Sequence, residues 1–310
     1  MTIVVGYDGR REGRDALALA ATLAPILGEG LLVASVYPLP ETSFGLSAEE
    51  LQPTGERTAA EGVGGLPQGV DATPVAVPGR SPAEGLYHLL EAERPSMVVV
   101  GSSHRGPLGH VLAERVASRL LTASPCPVAV APRGLAMRDT LVLREIGVGF
   151  DDTPESWNAV QRAAAIGIVA GARLRIIHAL QPVAAPPMAP EESERLTREL
   201  RVQREHALAR AAASVSKELH AETTMLVGDP VRVLEREAAE GLDLLVLGSR
   251  GYGPVRRVLL GGVSDSVVRR SPCPVVVVPR SVEFDPSAGG MAAHDTAAPA
   301  AHESHRAAAG

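Results

Sequence analysis

The stretch SPCPVAVAP at 124–132 returns as SPCPVVVVP at 271–279, 147 residues later. The same offset relates MVVVGSSHRGPLGHVL (97–112) to LLVLGSRGYGPVRRVL (244–259), whereas IVVGYDG (3–9) matches IGVGFDD (146–152) at an offset of 143. Four extra residues in the second copy reconcile the two offsets. A displacement sustained over so many residues marks a repeated structural unit. The chain is therefore two versions of one module, and any fold proposed for it must be built twice.

Each module alternates short aliphatic runs with helical patterns. In the first, the runs are TIVVGY (2–7), LLVASVY (31–37), ATPVAV (72–77), MVVVGS (97–102) and PVAVAP (127–132); in the second they lie near 144–150, 174–180, 222–227, 243–249 and 275–279. Unbroken Val/Ile/Leu runs signal strands buried on both faces, as in a parallel sheet. Leu19, Leu23, Ile26 and Leu27 share one helical face; Leu86, Leu89 and Leu90 share another; Trp157, Val160, Ala164 and Ile168 a third. Segment 190–219 predicts a long charged helix with a solvated face. Its first-module counterpart, 47–66, contains Pro53 and four glycines and is expected to be short or broken. Strand–helix alternation predicts two tandem doubly wound α/β modules, each with five strands and flanking helices. The boundaries are 1–132 and 144–280, with a linker at 133–143 and an Ala/Gly/Ser/Pro-rich, disordered tail at 281–310. One six-stranded dinucleotide fold is excluded, because each module has five strands and no G-x-G-x-x-G follows either first strand.

Composition narrows the partners. A net charge of −6 and 3% aromatic residues give neither the cationic surface nor the stacking platforms expected of a nucleic-acid binder. No apolar run reaches membrane-span length, and the opening run TIVV is cut by GYDG before it could form an export signal. Two cysteines, Cys126 and Cys273, occupy matching repeat positions. They fit a reducing, cytoplasmic setting, each read as a small buried hydrophobe with no metal or redox role. His178 reads as a satisfied core histidine, and His294, His302 and His305 are too loosely spaced to favour a metal site.

In an open α/β sheet, ligands bind beyond the carboxyl ends of strands where strand order reverses. If that point lies between the first and fourth strands, the loops GFDD (149–152) and GSRGYG (248–253) meet there. Glycines let backbone N–H groups approach phosphate oxygens, and a following helix adds its positive end. After nine intervening residues, YGPVRRVLL, Gly251 is followed by a second small pair, Gly261-Gly262, then Val263 and Ser264. Two such turns could clasp a polyphosphate.

G-x-x-G, nine residues, then glycine plus a small residue, ending in PCPVVVVP and opening on VGFDD, resembles the universal stress protein family, and both modules carry the resemblance. It implies a parallel sheet of order 3-2-1-4-5 and, in some members, ATP binding. Tandem members resemble two single modules fused. Position by position, it implies Asp151 near the adenosine, Ala179 against the adenine, and Gly248, Arg250, Gly251, Gly261, Gly262, Val263 and Ser264 around ribose and phosphates. The family usually has Ser or Thr where Gly262 stands, so one hydroxyl is missing. In the first module Asp8, Val36 and Gly101 match the adenosine end. His104, Glu114 and Arg115 replace the glycines there, and a carboxylate beside phosphate repels it. The second module is expected to bind ATP, with or without magnesium, and the first poorly or not at all.

The bland readings are tight turns and close helix packing for Gly248, Gly251, Gly261 and Gly262, and helix N-caps for Asp8 and Asp151. Three function classes remain: a regulatory adenine-nucleotide binder acting through paired modules, an ATP-using enzyme, and a scaffold for protein partners. No Lys follows the Gly-rich turn as in a P-loop, which weighs against the enzyme, although Asp151-Asp152 could hold a metal. A homodimer of the tandem chain stays open.

Overall fold

In a computed structural model of the chain, the residues described are 1–39, 47–102, 116–138, 140–181, 189–215, 217–249, 262–279, 282–285 and 290–293. The first module comprises β1 (Thr2–Gly6), α1 (Arg11–Leu27), β2 (Gly30–Pro38), α2 (Ala48–Gly64), β3 (Ala72–Gly79), α3 (Pro82–Glu93), β4 (Met97–Gly101), α4 (Val116–Ala123) and β5 (Val128–Ala131). The second repeats it: β6 (Glu145–Gly149), α5 (Pro154–Ala170), β7 (Arg173–Leu180), α6 (Pro190–Ala213), β8 (Ala221–Val227), α7 (Pro230–Ala239), β9 (Leu244–Gly248), α8 (Val263–Arg270) and β10 (Val275–Val278).

The strands lie in the order β3-β2-β1-β4-β5-β10-β9-β6-β7-β8. Within each module every pairing is parallel and the order is 3-2-1-4-5, so both modules are doubly wound. Between the modules β5 and β10 run antiparallel, with Ala129 opposite Val276, Val128 opposite Val277 and Val130 opposite Val275. Positions 129 and 276 differ by the repeat offset, so the ladder sets equivalent residues face to face about a local two-fold axis.

The unbroken aliphatic runs follow from burial on both faces. Along β1, Ile3 and Val5 enter one core cluster and Val4 the other; Met97 and Val99 alternate likewise with Val98 and Val100, and Leu244 and Val246 with Leu245 and Leu247. SPCP recurs because it makes the same entry turn twice. The Ser124 and Ser271 hydroxyls donate to the Cys126 and Cys273 carbonyls at 2.7 and 2.8 Å, and each accepts from that cysteine's N–H at 3.3 Å.

Segment 47–66 departs from expectation: α2 is a continuous helix despite Pro53. A capping box joins Ser47 and Glu50 at its start, so two backbone donors are satisfied. A Cβ at Gly55 would approach the Tyr37 ring to 3.0 Å, and one at Gly62 would approach Tyr7 and Val33 to 2.8 Å. These glycines give up helix propensity so that the helix can lie close to the sheet, and tertiary packing prevails over the local preference. On α5, Val160 and Ala164 are buried as the pattern requires, but Ile168 is 46% exposed. The buried face runs instead through Ala159, Ala163, Ile166 and Gly167.

Between the modules, Leu135–Met137 forms a 3-10 turn, with Leu135 and Leu143 buried. Buried Asp15 of α1 holds this turn, accepting the N–H groups of Gly134 and Ala136 at 2.8 Å each. In the tail, expected to be irregular, Val282–Asp285 (β11) pairs antiparallel with Gly290–Ala293 (β12). The alternation of Val282 and Phe284 with Glu283 and Asp285 was the strand signal there. Among the described residues no helix is long and apolar enough to cross a membrane.

Candidate functional site

In the second module β6 has β9 on one side and β7 on the other, so the switch point lies at the carboxyl end of β6. A cavity of about 410 Å³ opens there, within the range of small-molecule sites. Its floor is the ends of β6, β7 and β9; its walls include the amino-terminal turns of α5, α7 and α8 and one face of α6.

Six of the residues singled out from sequence line it together: Asp151, Ala179, Gly248, Gly262, Val263 and Ser264. Arg250, Gly251 and Gly261 lie outside the described residues, as do His104, Glu114 and Arg115 of the first module. Asp8, Val36 and Gly101 sit on the equivalent elements of the first module and do not line this cavity.

Neither aspartate is an N-cap. Thr153 caps α5, accepting from the Ser156 N–H at 3.3 Å, and Arg10 occupies the N-cap position of α1. Asp151 instead folds the preceding loop, its Oδ1 accepting from the Thr153 hydroxyl at 2.6 Å and N–H at 3.3 Å; Asp8 does the same with the Arg10 N–H at 3.0 Å. The next residue, Asp152, has φ of 66°, and its counterpart Gly9 has φ of 75°. Both modules thus use the same left-handed turn, free for glycine and costly for other residues. In the second module Asp152 is held there by the Trp157 indole N–H at 3.1 Å and by Arg210 at 3.3 Å, with Arg204 at 3.8 Å. Its carboxylate therefore serves the loop, and among the described residues no cluster of three metal-ligating side chains occurs.

Gly248 satisfies both readings offered for it. It lines the cavity, and a Cβ there would lie 2.5 Å from the Glu155 carbonyl carbon, so the first turn of α5 can sit on β9 only if residue 248 is glycine. Gly101 is constrained likewise by Glu12. Gly262 is different: it is the N-cap of α8 with φ of −77° and ψ of 174°, and no described residue lies within 4 Å of where its Cβ would be. Among the described residues there is thus open room at position 262, where the resemblance implies a hydroxyl. Ser264 donates its hydroxyl to the Gly248 carbonyl at 2.9 Å, tying α8 to β9, so that proton is not directed at a phosphate. What α8 offers an anion is its first-turn N–H groups and positive end. The Asp265 carboxylate in that turn is paired with Arg269.

Residues that sequence reasoning placed elsewhere also reach the cavity. His178 is buried at its edge, with Nδ1 2.8 Å from the Phe150 carbonyl. A carbonyl only accepts, so Nδ1 carries the proton, and burial holds the imidazole pKa below its ordinary value. Arg204 of α6 lines the cavity and donates to the Asp151 carbonyl at 3.2 Å. Its signal was present: Leu200, Arg204, Ala207, Leu208 and Ala211 recur at helical spacing, a stripe hidden by the charges around it. Asp229, the cap of α7, accepts from the Arg232 N–H at 3.1 Å. The two cysteines are buried and lie away from these polar groups; burial pushes each thiol up to about 11.

Comparison with known proteins agrees with this architecture. A family model described as the universal stress protein family matches residues 1–132 and again 143–279. A universal stress protein of Mycobacterium tuberculosis is 28% identical over 301 residues, covering 90% of this chain and all of its own. One from Thermus aquaticus is 34% identical over 139 residues, 44% of this chain and 99% of its own. Among solved structures, a universal stress protein from Archaeoglobus fulgidus superposes with a TM-score of 0.61 at 21% identity, covering 90% of this chain and 96% of that one; at that identity the likeness speaks for the fold. With its family pattern matched twice along the sequence and its switch-point cavity built from the loops that carry that pattern, the chain belongs to the universal stress protein family.

Proposed function

We propose that the protein is a stress-response regulator that binds an adenine nucleotide, ATP foremost, in the cavity of the second module. The observation that carries this reading is the convergence of Asp151, Ala179, Gly248, Gly262, Val263 and Ser264 on one cavity at the switch point. In this reading Ala179 leaves room for the base because its side chain is a single methyl. The ribose lies toward Asp151, and the phosphates face the glycine turn and the start of α8, where backbone N–H groups supply the donors. Magnesium, if it accompanies ATP, is carried mainly by the phosphates. The first module contributes no second clasp, since His104, Glu114 and Arg115 stand where the glycines would be. Nucleotide binding then biases the arrangement of the paired modules, because a ligand that prefers one state shifts the population toward it.

Titration calorimetry of the chain with Mg-ATP, alone and with Ala179→Trp, tests the reading. One nucleotide per chain is expected, lost when the indole fills the base end. At a hundredfold excess over Kd, binding should stabilise the fold by about 2.7 kcal/mol. Absence of both heat and thermal shift would refute it.

A further inference from the structure

We propose that the first module supplies a wall of the second module's ligand cavity, so that the two modules share one site; the identity of the ligand rests on the nucleotide reading above. Leu121 and Thr122 of α4 line the cavity, while every other described residue lining it belongs to the second module. The wall is tied in place by the Ser118 hydroxyl, which donates to Asp265 Oδ1 at 3.3 Å. Asp265 itself lines the cavity in the first turn of α8, next to Ser264. A small adjoining recess continues the contact, lined by Leu120, Leu121 and Cys126 from one module and Ser249, Val277 and Pro279 from the other.

The arrangement follows from the repeat. Positions 118 and 265 differ by 147, as do 129 and 276 in the β5–β10 ladder, so one local two-fold brings α4 to α8 where it brings β5 to β10. Such an axis places the same surface of each module against the other. The residues delivered differ, however. The second module's cavity receives Leu121 and Thr122, whereas the equivalent positions on α8 are Val268 and Arg269, and Arg269 is engaged by Asp265. A first module that has lost its own glycine clasp thus retains a role through α4. A ligand in the cavity gains its last contacts only while α4 is docked, so binding favours the docked arrangement.

Two measurements on the full chain decide this. In the first, Thr122→Trp is titrated with Mg-ATP beside the parent and beside Ala123→Trp, whose position is exposed. At least a tenfold loss of affinity for Thr122→Trp, with Ala123→Trp unchanged, supports the wall; parent-like affinity in a Thr122→Trp protein that unfolds cooperatively overturns it. The second needs no ligand: the rate at which a maleimide alkylates Thr122→Cys is compared with and without Gly262→Trp, which adds an indole at a residue lining the same cavity, with Ala123→Cys as reference. The two native thiols are buried and react slowly. Slowing of several-fold at position 122 alone supports the shared cavity, and equal rates overturn it. Should the parent bind no Mg-ATP, the nucleotide reading fails, and the shared wall is judged by the alkylation rates.

Discussion

Gly248→Ala is the substitution in which fold and site are hardest to separate. A methyl built on residue 248 would lie 2.5 Å from the Glu155 carbonyl carbon, 2.6 Å from its oxygen and 2.8 Å from its Cβ. Non-bonded carbons settle at about 3.5–4.0 Å, so the start of α5 must retreat by roughly 1 Å. The obstacle is helix backbone, which cannot rotate aside as a side chain can. Overpacking of this kind costs about 1–3 kcal/mol, which urea unfolding would read as a lower midpoint at constant m. The displaced turn carries Thr153 and Ser156, both lining the cavity, and Thr153 holds Asp151. Mg-ATP affinity should therefore fall about tenfold or more, since a misplacement of roughly 1 Å is enough to spoil a site. Two controls separate the effects. Gly101→Ala meets the Glu12 backbone in the same way and should cost similar stability while leaving affinity unchanged. Gly262→Ser meets no described residue and has an ordinary φ; it should add a few tenths of a kcal/mol by capping α8 and tighten nucleotide binding. A Gly248→Ala protein within about 0.5 kcal/mol of the parent, the scatter of ordinary surface substitutions, would refute the close-approach argument.

Asp15→Ala removes the acceptor of two 2.8 Å bonds to the connecting turn; at about 1.5–3 kcal/mol for each charge-assisted bond, a loss of about 3–6 kcal/mol is expected in urea unfolding, and less than 1 would count against the anchor. Arg162 on α5 is 2% exposed, and its Nε and Nη2 have no hydrogen-bond partner among the described residues; burial lowers its pKa. Arg162→Met should consequently be neutral or stabilising, and a thermal midpoint well below the parent's would show that the charge is needed. His178 is held neutral by burial, its folded pKa below the ordinary 6.5. Below pH 6.5 the unfolded chain takes up this proton more readily, so stability falls as pH drops from 6.5 toward the folded pKa. His178→Asn should make that acid limb shallower, and an unchanged profile would remove His178 as its cause.

Much of the site was legible because a family pattern written into loops survives without knowledge of packing. Asp151, Ala179, Gly248, Gly262, Val263 and Ser264 are the residues that the family resemblance implies, and they line one cavity. What spacing could not convey was how the polar groups are spent. Ser264 binds the Gly248 carbonyl, Asp152 is held by Trp157 and Arg210, and Arg204 reaches in from a helix whose charges suggested a solvated face or a partner's docking surface.

The sequence by itself determined two tandem α/β modules and their ten strands, since burial on both faces demands aliphatic runs and the repeat demands the same fold twice; the strand order came only through the resemblance to the family. Only the tertiary structure decided the rest. Local propensity predicted a broken α2, but the approach of Tyr7, Tyr37 and Val33 makes its glycines an advantage. The antiparallel β5–β10 ladder and the α4 wall depend on surfaces 147 residues apart. Strand formation is specified by neighbours along the chain; which edge meets which, and what then faces a cavity, is set by contacts that exist only after both modules have folded.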